Sequence, residues 1–368
     1  MNQAQIEIQL VAAIVAAACA LPGCFLVLRR MALISDAISH TVLLGIVLGF
    51  MVVGDLHGPL LLIGAAAVGV LTVFLIEALL RTGRVKEDAA IALVFPALFS
   101  IGIILISQNF RGVHLDTDVV LLGELAFAPF ARVEVFGASL PRGVVVMGAI
   151  LLINAILLLL FYKELKLATF DRALAASLGF MPALLTYGLT ASVSVTAVGA
   201  FEYVGSVLVV ALMIAPPAAA YLLTNRLSWM LGLSVLIAVA SALIGYWIAR
   251  ALNLNLAGTM AAVAGLCFIA ALVFAPERGL VSRAAARRRR RARFAVEMLV
   301  MHLSRHENTA TEETENTAAH LTGDLMWTPA FAQATVRRAS GQGLLVESGG
   351  VLRLTGPGRE LAVQVEAR

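Results

Sequence analysis

Arg29-Arg30-Met31-Ala32-Leu33-Ile34-Ser35-Asp36-Ala37-Ile38-Ser39-His40 decides how the chain is read. The two arginines end one apolar segment and open the next. Asp36 and His40 follow six and ten residues past Arg30, inside the next apolar run. At ~1.5 Å per helical residue they lie roughly 9 and 15 Å beyond Arg30, which sets His40 near a bilayer midplane. Ionisable side chains at such depth are costly and by default mark function. Being i and i+4, the two share one helix face.

Composition supports a membrane setting. The chain is 60% hydrophobic and only 14% charged, with a mean hydropathy of +0.93. That density of apolar residues reads as spans of about 20 residues each. Segments near 6–28, 32–54, 58–80, 88–107, 143–162, 182–200, 202–223, 228–250 and 255–275 qualify. The fold class expected is therefore an all-α polytopic membrane protein of about nine spans. The N-terminal segment lacks a basic n-region and is read as a retained first span. Leu115 to Phe130, broken by Gly123, Glu124 and Pro129, reads as an interfacial or re-entrant piece. Cys19, Cys24 and Cys267 lie within apolar spans and read as small hydrophobes.

Arg29 and Arg30, then Arg81, Arg84 and Lys86, then Lys163, Lys166 and Arg172, then Arg226 fall in alternate loops, and an arginine tract follows the last span. By the positive-inside rule these loops are cytoplasmic, with the N-terminus outside and the C-terminus inside. Asp55, His57, Asp116, Asp118 and Glu134 fall on the other side, with only Arg111, Arg132, Arg142 and Arg250 as basic residues there.

The metal reading of Asp36 and His40 competes with a structural one, in which Asp36 caps the helix and bonds His40. A carboxylate with a neutral imidazole suits Mn²⁺, Fe²⁺ or Zn²⁺. Two ligands do not close a site, so waters, carbonyls or a second subunit must add the rest. Glu202 is either a vestibule charge or an interfacial residue. Glu124 is similar, and Glu77 pairs with Arg81 four residues on. His57 and His114 are loop histidines of low weight as ligands. Asp171 caps a short amphipathic helix that Gly179 ends, with Leu174 and Leu178 on one face. That helix either lies on lipid or docks into a soluble partner. Pro216-Pro217 predicts a bend or break. No phosphate-cradling Gly-rich loop is present, so the chain is not expected to hydrolyse ATP, and no nucleophile–base spacing stands out.

Residues 276–368 are polar and basic. The domain reading is 1–278 in the membrane, 279–293 as a basic juxtamembrane linker holding Arg287–Arg291, and 294–368 as a cytoplasmic tail. In the tail, Phe294, Met298, Leu299 and His302 mark one helix face, and residues about 314–322 suit a second helix. Thr328-Pro329 opens a third to about Ser340. Leu344–Val346 and Val351–Leu354 flank Ser348-Gly349-Gly350 as a hairpin. Three helices and a hairpin make a small α+β winged helix, with Arg337 and Arg338 on the recognition-like helix. DNA binding by the tail is the weaker reading, against a regulatory or interaction module.

In combination, Leu28 to His40, Lys86-Glu87-Asp88-Ala89-Ala90-Ile91, Gly123 to Phe130, Tyr162 to Lys166 with Phe170-Asp171, and Val204 to Pro216 resemble the permease subunits of ABC importers for zinc, manganese and iron, most of all the manganese-type branch. Ile34-Ser35 stands where that family often has a glycine. The resemblance implies that Asp36 and His40 are the pore's metal-coordinating pair. It makes the helix carrying Phe170, Asp171, Leu174, Leu178 and Gly179 the coupling helix that contacts the ATPase. It implies a cytoplasmic ATP-binding subunit, an extracytoplasmic metal-binding protein and a second permease subunit, identical or related. The cargo would be Mn²⁺, Zn²⁺ or Fe²⁺, no cofactor would be bound, and the location would be the bacterial cytoplasmic (inner) membrane. The tail resembles the winged-helix part of diphtheria-toxin-repressor-type metalloregulators. That family's metal ligands do not match onto it, and His302, His306 and His320 are its candidate ligands. Rival readings are a membrane-tethered regulator with a DNA-binding tail and an ion-coupled secondary transporter without an ATPase.

Overall fold

The computed structural model describes residues 2–53, 59–109, 125–135, 138–309 and 311–367. It divides into two compact units, Met1–Gly279 and Leu280–Arg368.

The first unit is helical: α1 (Gln3–Leu28), α2 (Ala32–Val53), α3 (Pro59–Arg81), α4 (Glu87–Asn109), α5 (Arg142–Leu160), α6 (Tyr162–Phe170), α7 (Arg172–Ser177), α8 (Pro182–Leu223), α9 (Leu227–Leu252) and α10 (Leu256–Phe274). A hairpin pairs β1 (Arg132–Val135) with β2 (Ala138–Pro141), and a 3-10 turn covers Leu125–Phe127. Most of the piece read as re-entrant lies outside the described residues, as do Glu124, Asp55, His57, His114, Asp116 and Asp118.

Among the described residues, seven helices are long and apolar enough to cross a membrane, and Asp36–Val52 is a shorter apolar segment. Segments 182–200 and 202–223 run together in α8, whose 42 residues are two helices meeting at a kink. The break expected at Pro216-Pro217 falls instead at Gly205, with φ 72° and ψ 168°. Only glycine adopts that region readily, because a Cβ there clashes with the backbone. Contacts along α1 run in opposite directions on the two sides of this break. Thr186 meets Arg29, Asn154 joins Thr196 to Ala18, and Tyr203 shares an apolar core with Val11. Beyond Gly205 the chain returns, with Met213 against Gly23 and Ala220 in one cluster with Phe25 and Leu189.

Side-chain bonds group the loops into two ends. At one end Arg132 bonds Ser139 and Glu7, and Arg250 bonds Gln5. At the other, Arg29 bonds Thr169 and Thr186, and Asn225 bonds Glu277 and Arg278. The loops read as cytoplasmic from their basic residues thus meet at one end.

The second unit opens with α11 (Leu280–His306) and continues with α12 (Glu312–Glu315), α13 (His320–Asp324), α14 (Pro329–Gly341), β3 (Leu345–Ser348), β4 (Val351–Leu354) and α15 (Gly356–Glu366). The basic stretch read as a linker is helical from Leu280 on and runs unbroken into the rest of α11. Alanine and arginine are both strong helix formers. The buried face of α11 is Ala295, Val296, Leu299, Val300, His302 and Leu303. Phe294, expected on that face, is exposed and lies one helical step off it. The hairpin turns through Gly349 and Gly350, both at positive φ, as a two-residue primed turn requires. Leu352 N–H donates to the Asn316 carbonyl, which brings a short bridge at Thr317 alongside β4. The closing helix α15 was not foreseen. Thr355 caps it by accepting from Gly358 N–H.

Candidate functional site

The turn between α1 and α2 is a helix cap. Arg30 N–H donates to Val27 carbonyl at 3.1 Å and Met31 N–H to Leu26 carbonyl at 2.9 Å. Arg30 itself takes the left-handed conformation, φ 61°. This is the double bond pattern of a Schellman end, with buried Leu26 and Met31 at its two ends. The chain therefore restarts as helix within a few residues of Arg29, and Asp36 and His40 fall in the first turns of α2.

The rotation of α2 is fixed on its other face. Ile38, Thr41 and Val42 are buried, and Thr72 of α3 donates to Thr41 Oγ1 at 2.8 Å. Gly45 and Gly64 let the α2 and α3 backbones touch. With that face committed, Asp36 and His40 are turned toward the open side. His40 Nε2 lies 3.7 Å from Asp36 Oδ1, and their side chains are 35% and 53% exposed respectively. That spacing is wider than a hydrogen bond, so the residues share a face without closing on each other. The His40 ring packs against Phe95 at 5.3 Å and edge-on to Phe99 at 5.9 Å, both on α4. These aromatics were not picked out from the sequence. Their i, i+4 spacing on an apolar helix was the available signal, but it is shared by many core pairs.

Glu202 does not join this pair. It lies 3.6 Å from Arg142 and is half exposed. Glu77 is 3.9 Å from Arg81 and also accepts from Tyr187 Oη at 2.9 Å.

Asp171 accepts from Leu174 N–H at 2.9 Å and opens α7. Gly179, φ 84°, ends it, with Gly179 N–H on Ala176 carbonyl and Phe180 N–H on Ala175 carbonyl. Ala175 is buried, while Phe170, Leu174 and Leu178 are 65%, 45% and 60% exposed. An apolar ridge thus stands at the same end as Arg29. The Arg29 guanidinium donates to Thr169 of α6 and Thr186 of α8, and so ties this ridge to the turn that starts α2.

In the second unit His302, His306 and His320 converge between α11 and α13, with ring centroids of His302 and His306 4.7 Å apart. Burial, and then the neighbouring His306, hold the His302 imidazole below its ordinary value.

Comparison with known proteins matches residues 3–275 to the ABC 3 transport family. The chain is 47% identical over 356 residues to the zinc transport system membrane protein TroD of Treponema pallidum, covering 97% of each, so that match runs into the tail. It is 48% identical to the manganese transport system membrane protein MntD of Bacillus subtilis over 271 residues, 73% of this chain and 92% of that one. Among solved structures it is similar to PsaBC from Streptococcus pneumoniae in complex with Fab. That likeness has a TM-score of 0.64 and 27% identity, over 76% of this chain and 94% of the other. With an apolar helical body, an ionisable pair in its second helix and a family match over nearly the whole first unit, the chain belongs to the ABC 3 transport family.

Proposed function

We propose that this chain is the membrane permease of an ATP-driven importer of a divalent transition metal, Mn²⁺ or Zn²⁺ foremost and Fe²⁺ as the third candidate. The relatives named for manganese and zinc transport support the cargo, and family membership over residues 3–275 supports the permease role. The permease is not itself an enzyme. A cytoplasmic ATP-binding subunit hydrolyses ATP, and an extracytoplasmic metal-binding protein delivers the ion.

The observation that carries the reading is the Asp36–His40 pair, open to one side of α2 and 3.7 Å apart. A carboxylate oxygen and an imidazole nitrogen at that spacing can contact one ion between them. Half-exposed Asp36 leaves room for further ligands from a second permease subunit, identical or related. Partial coordination also suits transport, since the ion must leave. Phe95 and Phe99 would hold the imidazole plane and keep water from its flank. The returning contacts beyond Gly205 support two crossings within α8 and hence nine in all, with the N-terminus outside. Phe170, Leu174 and Leu178 form the surface offered to the ATPase, with Asp171 and Gly179 shaping the helix. Glu202, paired with Arg142, contributes at most a screened charge at the outer mouth.

The order of three helices and a hairpin supports reading 294–368 as a winged helix. Arg337 and Arg338 of α14 are exposed. A regulatory or interaction role is favoured over DNA binding.

Uptake of radioactive Mn²⁺ and Zn²⁺ by vesicles holding the whole complex tests the site. Asp36→Ala and His40→Ala should abolish uptake while the subunits still copurify. Normal uptake by both variants refutes the assignment.

A further inference from the structure

The tail holds a second cluster of metal-ligating groups. His302 and His306 are i and i+4 on α11 and so present their rings on one face. Asp324, at the end of α13, completes a set whose ligand atoms all lie within 4.8 Å of one another. His320, four residues before Asp324, puts its Nε2 3.1 Å from Asp324 Oδ2.

Two buried ring nitrogens of the cluster have no hydrogen-bond partner among the described residues. His302 is 9% exposed, and its Nε2 is buried with no hydrogen-bond partner. Its imidazole also lies against the backbone of Glu315. His306 is held in the same way, with Nδ1 against the Glu315 carboxylate. Glu315 therefore stands against both rings, while His302 Nε2 is left for another partner. Metal-bound histidines are held like this, with the second nitrogen given to a carboxylate or carbonyl that fixes the tautomer. His320 Nε2 is also buried, close to Asp324 but off the line of a hydrogen bond. An unpaired buried polar atom costs about 1–3 kcal/mol, so two in one cluster call for a ligand.

We propose that His302, His306 and Asp324, joined by His320, form a binding site for a first-row divalent cation in the tail, additional to the Asp36–His40 pair. Two imidazoles and one carboxylate, with His320 beside Asp324 or a water as the fourth ligand, suit Zn²⁺ best. The same set favours Fe²⁺ over Mn²⁺, whose preference is for oxygen ligands. A tetrahedral Zn²⁺ at ~2.0–2.1 Å from each ligand draws the donor atoms to about 3.4 Å from one another. Exposed Asp324, at the end of a five-residue helix, is the ligand free to move inward.

The test uses the full chain in detergent with Asp36→Ala and His40→Ala in place, so that the membrane pair contributes no metal. Zn²⁺ titrated calorimetrically should bind at one equivalent per chain, and Co²⁺ in its place should give the visible absorption of a four-coordinate site. His306→Gln and Asp324→Asn alter side chains that are partly exposed, and the tail should still fold; each should weaken Zn²⁺ at least tenfold. Glu315→Gln, which alters the carboxylate held against His306 and keeps an acceptor for Thr311, should weaken it about 10–100-fold. Absence of Zn²⁺ binding in the parent, or unchanged affinity in both His306→Gln and Asp324→Asn, overturns the site. Either result leaves the permease reading untouched, since that is judged by uptake through Asp36 and His40.

Discussion

A single methyl group at Gly45 tests whether the position of His40 is set by the contact between α2 and α3. A Cβ added there would lie 2.5 Å from Ala65 Cα and 2.5 Å from the Gly64 carbonyl oxygen. Both are backbone atoms, so no rotamer change relieves the overlap. Real Cβ contacts essentially never fall under 3.0 Å, so the two helices must separate by about half an ångström or more. Overpacking of this kind costs about 1–3 kcal/mol. The better helix propensity of alanine returns about 0.5–1 kcal/mol. The net expectation for Gly45→Ala is a loss of up to about 2.5 kcal/mol, centred on about 1 kcal/mol. Gly64→Ala meets the Gly45 carbonyl at 2.6 Å and should behave alike. Since one separation relieves both clashes, the double variant should cost less than the sum, by about 0.5 kcal/mol or more. Gly148→Ala and Gly232→Ala, with nothing within 4 Å, are the controls and should be neutral or slightly stabilising. Stability would be read by titrating the purified chain with sodium dodecyl sulfate, and metal uptake measured in parallel. Uptake should fall in Gly45→Ala, because α2 then shifts His40 against Phe95 and Phe99. A Gly45→Ala chain as stable as the Gly148→Ala control, or strict additivity with Gly64→Ala, refutes the argument.

Gly205→Ala forces a Cβ into a backbone region open only to glycine and should cost about 1–3 kcal/mol in the same titration, with no stabilising offset. Asn154→Leu removes bonds of 2.7 Å to Thr196 and 2.7 Å from Ser192 at a fully buried position. Interhelical hydrogen bonds in membranes average about 0.6 kcal/mol and reach about 1.7, so a loss of about 1–2 kcal/mol is expected. Leu174→Asp sets a charge on the exposed ridge of α7 without touching the core, and should leave thermal stability unchanged while the ATP-binding subunit no longer copurifies. Arg29→Met cuts the bonds to Thr169 and Thr186. It should raise ATP hydrolysed per ion imported, measured in vesicles, because the ridge is then no longer tied to the start of α2.

Long apolar runs had to become spans, since no other structure satisfies backbone groups in lipid. Their number was less legible. Two segments and a Pro-Pro pair suggested a break near 202 or 216, and the chain turns at Gly205. Sequence marks every glycine alike, and only packing shows which one is forced to positive φ. The α7 helix was legible because its cap and stop are local: Asp171 and Gly179 act within a few residues. The same holds for the tail hairpin at Gly349-Gly350. Phe294 was placed on the wrong face of α11 because an apolar side chain next to a buried stripe looks like part of it.

That an aspartate and a histidine, one helical turn apart, follow two arginines into an apolar segment is legible from the chain alone. Spacing along the chain is enough for that, because a helix turns every 3.6 residues. What the tertiary structure decided is which way the pair faces and what stands beside it. The Thr41–Thr72 bond and the glycine contact of α2 with α3 turn Asp36 and His40 outward, and α4 supplies the aromatic flank. In the tail, Glu315 stands against two histidines of α11, and the packing of α13 brings His320 and Asp324 beside them. Such long-range contacts depend on how helices distant in sequence pack, and no local pattern encodes them.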